Sequence, residues 1–283
     1  MSSINSNNVI ALDLTNVQET LFTPLCARAD QWGRPDAIVE DQTANELVRQ
    51  LSYDFEKIRR YPNTLTGCAI RAAIMDGWIR NFMQINPEGS VGLLGVGLDT
   101  TFERNRQFGN VDWFEFDYED VITLRRKCFK DHPKRHLVNG DIFNTAWIDR
   151  VKAIGNGPWL FQAAGVLMYL KPEKVNDLFH LLGKHFPGST FLFDGCSNFA
   201  KRNSHRWEAT VRTTSAQYHW SIDNPRLLAA KFPGLKVTDV EYLMDHHRHQ
   251  WQLNTRFWSA ILPKLRRGYH ISRAIFSAGP AEE

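Results

Sequence analysis

The sequence predicts an α/β fold built on a seven-stranded, mostly parallel, doubly wound sheet. After Gly89, strand-like apolar runs alternate with helical patterns, which is typical of a parallel sheet with helices on both faces. The segment before Gly89 has a helical pattern, and the seventh strand-like run comes shortly before the chain ends. We expect this late run to form a hairpin at one edge of the sheet.

The first 88 residues are predicted to form a tail and a helical cap. The opening dozen residues are rich in Ser and Asn, which indicates a loose tail. Farther along, Ile70, Ile74 and Trp78 fall on one stripe of a predicted helix. Residues 61–63, Tyr-Pro-Asn, predict a turn before that helix.

Residues 89–283 are predicted to form the sheet domain. Strands are expected at residues 91–94, 112–117, 136–139, 159–164, 190–194, 237–243 and 269–276. Residues 196–232 are rich in Ser, Arg, Trp and His and contain no clear strand pattern. They are predicted to be an insertion after strand five that covers the sheet edge and forms part of the cap.

Composition excludes several classes of protein. The net charge of +3 is small and the charges are interspersed, so neither a nucleic-acid nor a membrane partner is expected. The four cysteines are far apart and the first residues resemble no signal peptide, which favours a reducing, cytoplasmic location. His246 and His249 could share a helix face but do not complete a ligand set, so no metal site is predicted.

Glycines follow the first predicted strand, where an open parallel sheet binds its ligands. Gly95 and Gly97 allow close approach of a ligand to the backbone. Thr100 stands where a dinucleotide-binding loop has Gly or Ala, so the loop favours a ligand without a pyrophosphate. Taken alone, the glycines are equally compatible with a plain tight turn.

Acidic residues follow the second and third predicted strands. Asp117 lies about 20 residues after the glycines, where a carboxylate binds ribose hydroxyls, although it could instead be a helix N-cap. Asp141 could accept from an exocyclic amine while Ile142 and Phe143 bracket a flat ring, or it could cap a turn. Together with the glycines, these residues predict a nucleoside site.

Four sequence blocks resemble the leucine carboxyl methyltransferase family, and in particular its tetracenomycin-type polyketide O-methyltransferase branch. They are Leu-Gly-Val-Gly-Leu-Asp-Thr-Thr-Phe-Glu-Arg from Leu94, Trp-Phe-Glu-Phe-Asp-Tyr-Glu-Asp-Val-Ile from Trp113, Gly-Val-Leu-Met-Tyr-Leu from Gly165 and Phe-Pro-Gly-Ser-Thr-Phe-Leu-Phe-Asp from Phe186. The resemblance extends over about residues 17–276. It implies a Rossmann-like class I methyltransferase fold with S-adenosyl-L-methionine as the cofactor.

The resemblance also implies roles for individual residues. Arg71 would pair with the carboxylate of the cofactor, and Gly95 and Gly97 would face its methionine part. Asp117 would bind the ribose, and Asp141 with Ile142 would bind the adenine.

One position departs from the family pattern. The family usually has Glu before the Gly-Val-Leu-Met-Tyr-Leu block, where it contacts the amino group of the cofactor, but this chain has Ala164. Loss of one charge-assisted hydrogen bond would weaken binding by about 1.5–3 kcal/mol. We expect another acid, a backbone carbonyl or water to compensate; otherwise the protein would bind cofactor poorly.

The acceptor side is predicted from residues after strands four and five and in the insertion. Tyr169, Asp194, His219 and Trp220 are the candidate substrate-binding residues. His219 and Tyr169 are the catalytic candidates, with His219 as a base unless it is a structural residue of the cap. A carboxylate acceptor needs no base, whereas a phenol, with a pKa of about 10, benefits from one.

The predicted function is S-adenosylmethionine-dependent O-methylation of a carboxylate or hydroxyl on a small molecule of secondary metabolism. Alternatives are methylation of a protein carboxylate and a non-catalytic binding protein that keeps the fold. An NAD-linked oxidoreductase is disfavoured by Thr100. The sequence does not indicate an oligomeric state.

Overall fold

The computed structural model of the chain describes residue 10 and residues 19–277. Apart from residue 10, the predicted N-terminal tail lies outside these residues. The seven strands are β1 Ser90–Leu94, β2 Asp112–Asp117, β3 Arg135–Asn139, β4 Trp159–Ala163, β5 Thr190–Cys196, β6 Leu235–Tyr242 and β7 Tyr269–Phe276. Every predicted strand is therefore present, with ends within two residues of the expected positions.

The α-helices of the described residues, in chain order, fall before β1 and between the strands. They are α1 Phe22–Ala29, α2 Gln42–Gln50, α3 Glu56–Arg59, α4 Pro62–Ile85, α5 Thr101–Asn105, α6 Glu119–Cys128, α7 Trp147–Ile154, α8 Pro172–His185, α9 Asn198–Trp207, α10 Ala209–Thr213, α11 Leu228–Lys231, α12 Leu253–Ile261 and α13 Pro263–Arg266. Within the described ranges, none of these helices is both long enough and apolar enough to cross a membrane.

The strands form one sheet in the order β3-β2-β1-β4-β5-β7-β6. The first five strands are parallel, and β7 pairs antiparallel with both β5 and β6. The winding direction reverses between β1 and β4, so the predicted doubly wound sheet with an edge hairpin is confirmed. The fold also brings the carboxyl ends of β1, β2 and β4 to one edge.

Alternate residues of the strands pack into two separate apolar layers. Phe161 of β4 and Phe193 of β5 contribute to the layer that includes α7 and α8. Their neighbours Leu160 and Leu192 contribute to the opposite layer, which includes the end of α4. Both faces are therefore buried at the centre of the sheet, which explains why β1, β4 and β5 are largely apolar.

The N-terminal helices differ from the prediction at one point. Residues 61–63 are not an isolated turn, because Pro62 is the first residue of α4 and Tyr61 is its N-cap. Proline suits this position, since the first amide of a helix has no intrahelical partner. The helix therefore begins earlier than the apolar stripe indicates and runs for 24 residues.

The segment at residues 196–232 contains α9, α10 and α11, and no strand beyond the end of β5 at Cys196. It contacts the N-terminal helices, because the Thr64 hydroxyl donates to the carbonyl of Trp207 at 3.3 Å. His246 follows one short 3₁₀ turn and His249 lies in the next, and they contact Glu241 and Asp36, respectively.

Candidate cofactor and acceptor site

The loop after β1 requires glycine at two positions. Gly95 and Gly97 have φ of +63° and +52°, in the left-handed region. A Cβ at Gly95 would lie 2.8 Å from Val166, and one at Gly97 would lie 2.7 Å from Leu21. The loop is thus a narrow cradle closed by neighbouring segments.

Two buried arginines hold the carbonyl groups of this loop. Arg28 of α1 donates to the carbonyl of Leu98 at 3.1 Å. Arg125 of α6 donates to the carbonyls of Gly97 and Asp99 at 2.8 and 3.0 Å. Because guanidinium groups hydrogen-bond the carbonyl groups of Gly97, Leu98 and Asp99, the shape of the loop is fixed without a ligand.

An ion-pair network beneath the loop joins it to the N-terminal helices. The Asp41 carboxylate lies 3.0 Å from Arg28 and 2.9 Å from Arg104, and it also accepts from the hydroxyl of Thr100. Arg104 in turn contacts Asp76 of α4 at 2.7 Å. All of these side chains are nearly inaccessible to solvent, so each charge depends on its partners.

Asp117, at the end of β2, faces the glycine loop. One carboxylate oxygen accepts from the Gly97 amide at 2.7 Å and the other from the Tyr118 amide at 2.8 Å. Tyr118, not Asp117, is the N-cap of α6, so the N-cap alternative is wrong. Burial raises the pKa of Asp117 above its ordinary value.

Asp141 and Ile142 lie in the loop after β3. The Asp141 side chain is exposed and accepts from the Phe143 amide at 3.0 Å, while Ile142 is partly buried. The preceding Gly140 amide donates to the carbonyl of Asp117 at 2.9 Å. Hydrogen bonds therefore join the loop after β1 to the end of β2, and the end of β2 to the loop after β3.

A cavity of about 610 Å³ opens beside the glycine loop. One part of its wall contains Gly95 and Gly97 together with Arg71, Ala164 and Asp194. The remaining wall includes eight aromatic side chains, which come partly from the cap and partly from other segments: Tyr61, Tyr169, Phe199, Trp207, Tyr218, Trp251, Trp258 and Tyr269. The cavity thus joins a charged end at the sheet to an apolar end beneath the cap.

The charged end contains a buried ion pair. Arg71 Nη1 of α4 lies 2.7 Å from Asp194 Oδ2 of β5, and the amide of Gly165 donates to Asp194 Oδ1 at 2.7 Å. Burial works against the charge of Arg71, but Asp194 outweighs it and raises the pKa of the guanidinium. Cation and anion are held side by side in the cavity wall next to Ala164.

Gly165 is expected to be intolerant of a side chain. Its φ is +72°, and a Cβ would lie 2.8 Å from Arg71 Nη1. We expect Gly165→Ala to displace Arg71 and to cost about 1–3 kcal/mol of backbone strain, measured by urea denaturation. Gly77→Ala is the control, because a Cβ there meets nothing within 4 Å in a helix; an equal loss of stability in both variants would contradict this prediction.

The predicted acceptor residues lie in different environments. Tyr169 and Asp194 line the cavity, and Tyr169 packs edge-on against Tyr218 with ring centroids 5.3 Å apart. His219 is exposed and outside the cavity wall, and Trp220 is buried in the main apolar core. The structure therefore brings Tyr169 and Asp194 to the site, but not His219 or Trp220.

Sequence reasoning did not identify three polar residues of the cavity wall: Glu208, Tyr218 and Tyr269. Tyr218 directly precedes His219 in the motif that drew attention to the histidine. The segment is extended, with Tyr218 and Trp220 buried and His219 exposed between them. Tyr218 lines the cavity, whereas Trp220 packs into the core, and the sequence carries no local signal that distinguishes them.

Comparison with known proteins identifies the family. The leucine carboxyl methyltransferase family model matches residues 22–183, which is more than half of the chain. The chain belongs to the leucine carboxyl methyltransferase family. The resemblance found in the sequence blocks is confirmed.

Individual relatives agree with this assignment. The chain is 30% identical to the tetracenomycin polyketide synthesis O-methyltransferase of Streptomyces glaucescens, over 82% of this chain and 85% of the relative. It is 28% identical to an S-adenosyl-L-methionine-dependent methyltransferase of Gibberella zeae, over 83% and 85%. The predictions of a methyltransferase and of its S-adenosylmethionine cofactor are confirmed by this kinship.

A solved structure agrees on the fold. A Thermobifida fusca crystal structure, assigned as a methyltransferase, superposes with a TM-score of 0.60 at 14% identity and covers 94% of this chain and 97% of that one. The predicted α/β architecture of a class I methyltransferase is confirmed.

Proposed function

We propose that this protein transfers the methyl group of S-adenosylmethionine to an oxygen atom of a small molecule held under the cap. The observation that supports this most strongly is the cavity that joins the glycine loop and the Arg71–Asp194 pair to a wall containing several aromatic side chains. Such a wall suits a flat acceptor, because aromatic side chains offer large apolar faces.

Arg71 and Asp194 together suit the amino-acid end of the cofactor. That end is a zwitterion, so it needs a cation for its carboxylate and an anion for its ammonium group. Arg71 offers the first, and Asp194 offers the second in place of the glutamate missing at Ala164. We therefore reassign Asp194 from the acceptor side to the cofactor side of the site.

Asp117, Asp141 and Ile142 are proposed to bind the nucleoside end. The Asp117 carboxylate lies at the glycine loop and can accept from two adjacent ribose hydroxyls. Asp141 and Ile142 follow in the next loop, which is hydrogen-bonded to Asp117 through Gly140. A Cβ at Gly95 or Gly97 would meet Val166 or Leu21, so this loop keeps its shape beside the cavity only with glycine at both positions.

When bound, S-adenosylmethionine supplies an electrophilic methyl group on its sulfonium sulfur. The chain must hold the acceptor oxygen behind that methyl carbon and exclude water, which is catalysis by positioning. The fixed glycine loop and the Arg71–Asp194 pair would set one side of this geometry. Tyr169, after β4, and the aromatic side chains of the cap would set the other side.

The cofactor assignment is tested by calorimetry with S-adenosylmethionine and S-adenosylhomocysteine. We expect both to bind with dissociation constants in or below the micromolar range, about −8 kcal/mol. No heat of binding at high micromolar ligand would reject the proposed function. Tight binding without any methylated product across a panel of hydroxyl and carboxylate acceptors would favour the non-catalytic alternative.

Asp117→Ala tests the nucleoside end. We expect a loss of at least tenfold in cofactor affinity with little change in the free energy of unfolding, because the side chain is partly exposed and its partners are backbone amides at a loop. Since the pKa of Asp117 is raised, wild-type affinity should also fall as the pH drops through that pKa and the carboxylate protonates. Asp149→Asn, at an exposed position of α7, is the charge-matched control; unchanged affinity in Asp117→Ala would remove the ribose role.

A further inference from the structure

The helix α12 packs against the protein with its polar side. Ser259 is buried and Thr255 is partly buried, and the Thr255 hydroxyl accepts a hydrogen bond from the start of α4 at 2.8 Å. Leu253, Phe257 and Ile261 follow one another at intervals of four residues, so they form one stripe on the opposite side of the helix. A surface helix normally turns its apolar stripe towards the core, so the orientation of α12 is reversed.

The apolar residues of this stretch are highly exposed. Their exposed fractions lie between 43% for Leu262 and 76% for Leu253, with Phe257, Trp258 and Ile261 in between. These five are among twelve large apolar residues that are exposed in the described part of the chain, and they lie within ten consecutive positions. Single exposed apolar residues are ordinary, but a contiguous group of this kind marks an interaction surface.

Basic side chains surround the apolar group. The helices α9, α12 and α13, with the residue directly after α13, contain seven Lys and Arg residues and no Asp or Glu: Lys201, Arg202, Arg206, Arg256, Lys264, Arg266 and Arg267. Six of the seven are exposed, all but Lys201. Because α13 contacts both α9 and α12, these cations and the apolar residues of α12 form one continuous area, the basic–apolar surface.

Few acidic groups lie near the basic–apolar surface. Asp245 pairs with Arg266, and Asp223 lies near Arg202 and Lys264, where it is hydrogen-bonded at the start of α9. Without the seven cations the formal net charge of the chain would be negative. The small net charge of the whole protein therefore conceals a strongly uneven distribution, with the positive charge gathered on this surface.

The basic–apolar surface also borders the cavity. Arg206, Trp258 and Leu262 are exposed and at the same time line the cavity wall. They come from α9 and from α12 with its C-cap. The cavity therefore reaches the exterior at this surface, and whatever covers the surface lies beside the entrance to the site.

We propose that the basic–apolar surface binds an anionic lipid bilayer, with the apolar stripe of α12 inserted among the headgroups and the cations against lipid phosphates. Trp, Phe, Leu and Ile beside Lys and Arg are the composition of interfacial helices, which lie in the plane of a membrane. A second copy of the chain fits less well, because a two-fold contact would bring the same cations together. The expectation of no membrane partner, which rested on the net charge, is revised accordingly.

The bilayer is also favoured over an acidic protein. The apolar side chains project from the outer side of a helix, where they can enter a headgroup layer without a matching pocket on a partner. Bound in this way, the protein would hold the entrance of the cavity at the lipid surface. An amphiphilic molecule would then pass from the bilayer into the cavity without crossing bulk water.

Co-sedimentation with lipid vesicles tests the proposal. One set of vesicles contains phosphatidylcholine alone, and the other contains an equimolar mixture of phosphatidylcholine and phosphatidylglycerol. At about 0.1 M salt we expect about tenfold tighter binding to the mixed vesicles, and loss of most of this preference at about 1 M salt, because salt screens exposed charges. Equal binding to both sets, or no binding to the mixed vesicles at about 1 mM lipid, would overturn the proposal.

Leu253→Ser with Ile261→Ser removes most of the apolar stripe, and both positions are exposed and outside the cavity wall. We expect this variant to bind the mixed vesicles about tenfold more weakly. Ile85→Ser with Ile154→Ser is the matched control, because these residues are similarly exposed, at 68% and 51%, but lie near the amino ends of β1 and β4. Equal losses in the two variants, or undiminished binding by the first, would overturn the insertion of α12.

Arg202→Gln with Lys264→Gln tests the cations. We expect the preference for the mixed vesicles to fall about fivefold. Arg150→Gln with Lys127→Gln, at exposed positions of α7 and α6, removes the same charge elsewhere and should leave the preference unchanged. An equal effect of both variants would mean that overall charge, and not this surface, attracts the lipid, which contradicts the proposal.

Sedimentation analysis without lipid tests for the competing occupant. We expect the wild type to show no self-association through this surface. A dimer that Leu253→Ser with Ile261→Ser dissociates would assign the surface to a second copy of the chain and overturn the proposal. If a variant does not fold, the wild-type comparison of the two sets of vesicles still decides whether the protein binds an anionic bilayer.

Discussion

Replacing Arg71 with methionine is expected to lower the affinity for S-adenosylhomocysteine about a hundredfold and to destabilise the fold by about 3–5 kcal/mol. The affinity falls because the cavity loses the cation proposed for the ligand carboxylate. The stability falls because Asp194, which lies 2.7 Å from Arg71, keeps a buried charge without its partner. Calorimetry and urea denaturation measure the two effects separately.

The double variant Arg71→Met with Asp194→Asn distinguishes these causes. It removes both charges, so most of the lost stability should return while the affinity stays low. Arg150→Met, at an exposed position of α7, is the control for the substitution itself. Recovery of ligand affinity in the double variant would contradict the proposed cofactor contacts of both Arg71 and Asp194.

Replacing Asp41 with asparagine is expected to destabilise the protein by about 3–5 kcal/mol, although Asp41 lies outside the cavity wall. Its carboxylate pairs with Arg28 and Arg104, and its other oxygen accepts from the Ala44 amide at the start of α2. The variant would leave the buried guanidinium groups of Arg28 and Arg104 without the negative charge of Asp41. It should also weaken cofactor binding, because Arg28 holds the carbonyl of Leu98 in the glycine loop.

Asp36→Asn is the matched control for Asp41→Asn. Asp36 lies in the same N-terminal region and pairs with His249 at 3.6 Å, but both side chains are more than half exposed. Its loss should change the free energy of unfolding by about 0.5 kcal/mol or less. Similar losses in the two variants would mean that the buried network contributes no special stability.

Most strands could be predicted because they combine an apolar run with a clear boundary, although the pattern of β3 is weak. The predicted last strand matches β7, Tyr269–Phe276, at both ends, and Asp117 was expected at the end of β2, where it lies. Gly95 and Gly97 were identifiable because a sheet with this winding places its ligand loops after its strands. The charged end of the cavity was only partly predictable: the pairing of Arg71 with Asp194 joins residues 123 positions apart, and no local pattern encodes it.

The acceptor wall was harder to predict for a different reason. Tyr218, His219 and Trp220 belong to an extended segment outside any sheet, whose direction is set by a hydrogen bond from the His219 amide to the carbonyl of Met168. That tertiary contact decides which side chain faces inwards. Glu208 is a polar residue between two short helices, and only the packing of α9 and α10 against the N-terminal helices gives it a place in the cavity.

The two ends of the cavity come largely from different stretches of the chain. The glycine loop, Arg71 and Ala164 lie within residues 22–183, the part that the family model matches, whereas Asp194 and the helices α9, α10 and α12 follow it. Under the proposed function, substitutions in α9, α10 and α12 can change the acceptor while the earlier stretch and Asp194 keep the shared cofactor. Evolution of a new substrate preference in this lineage would then require few changes to the machinery that its members have in common.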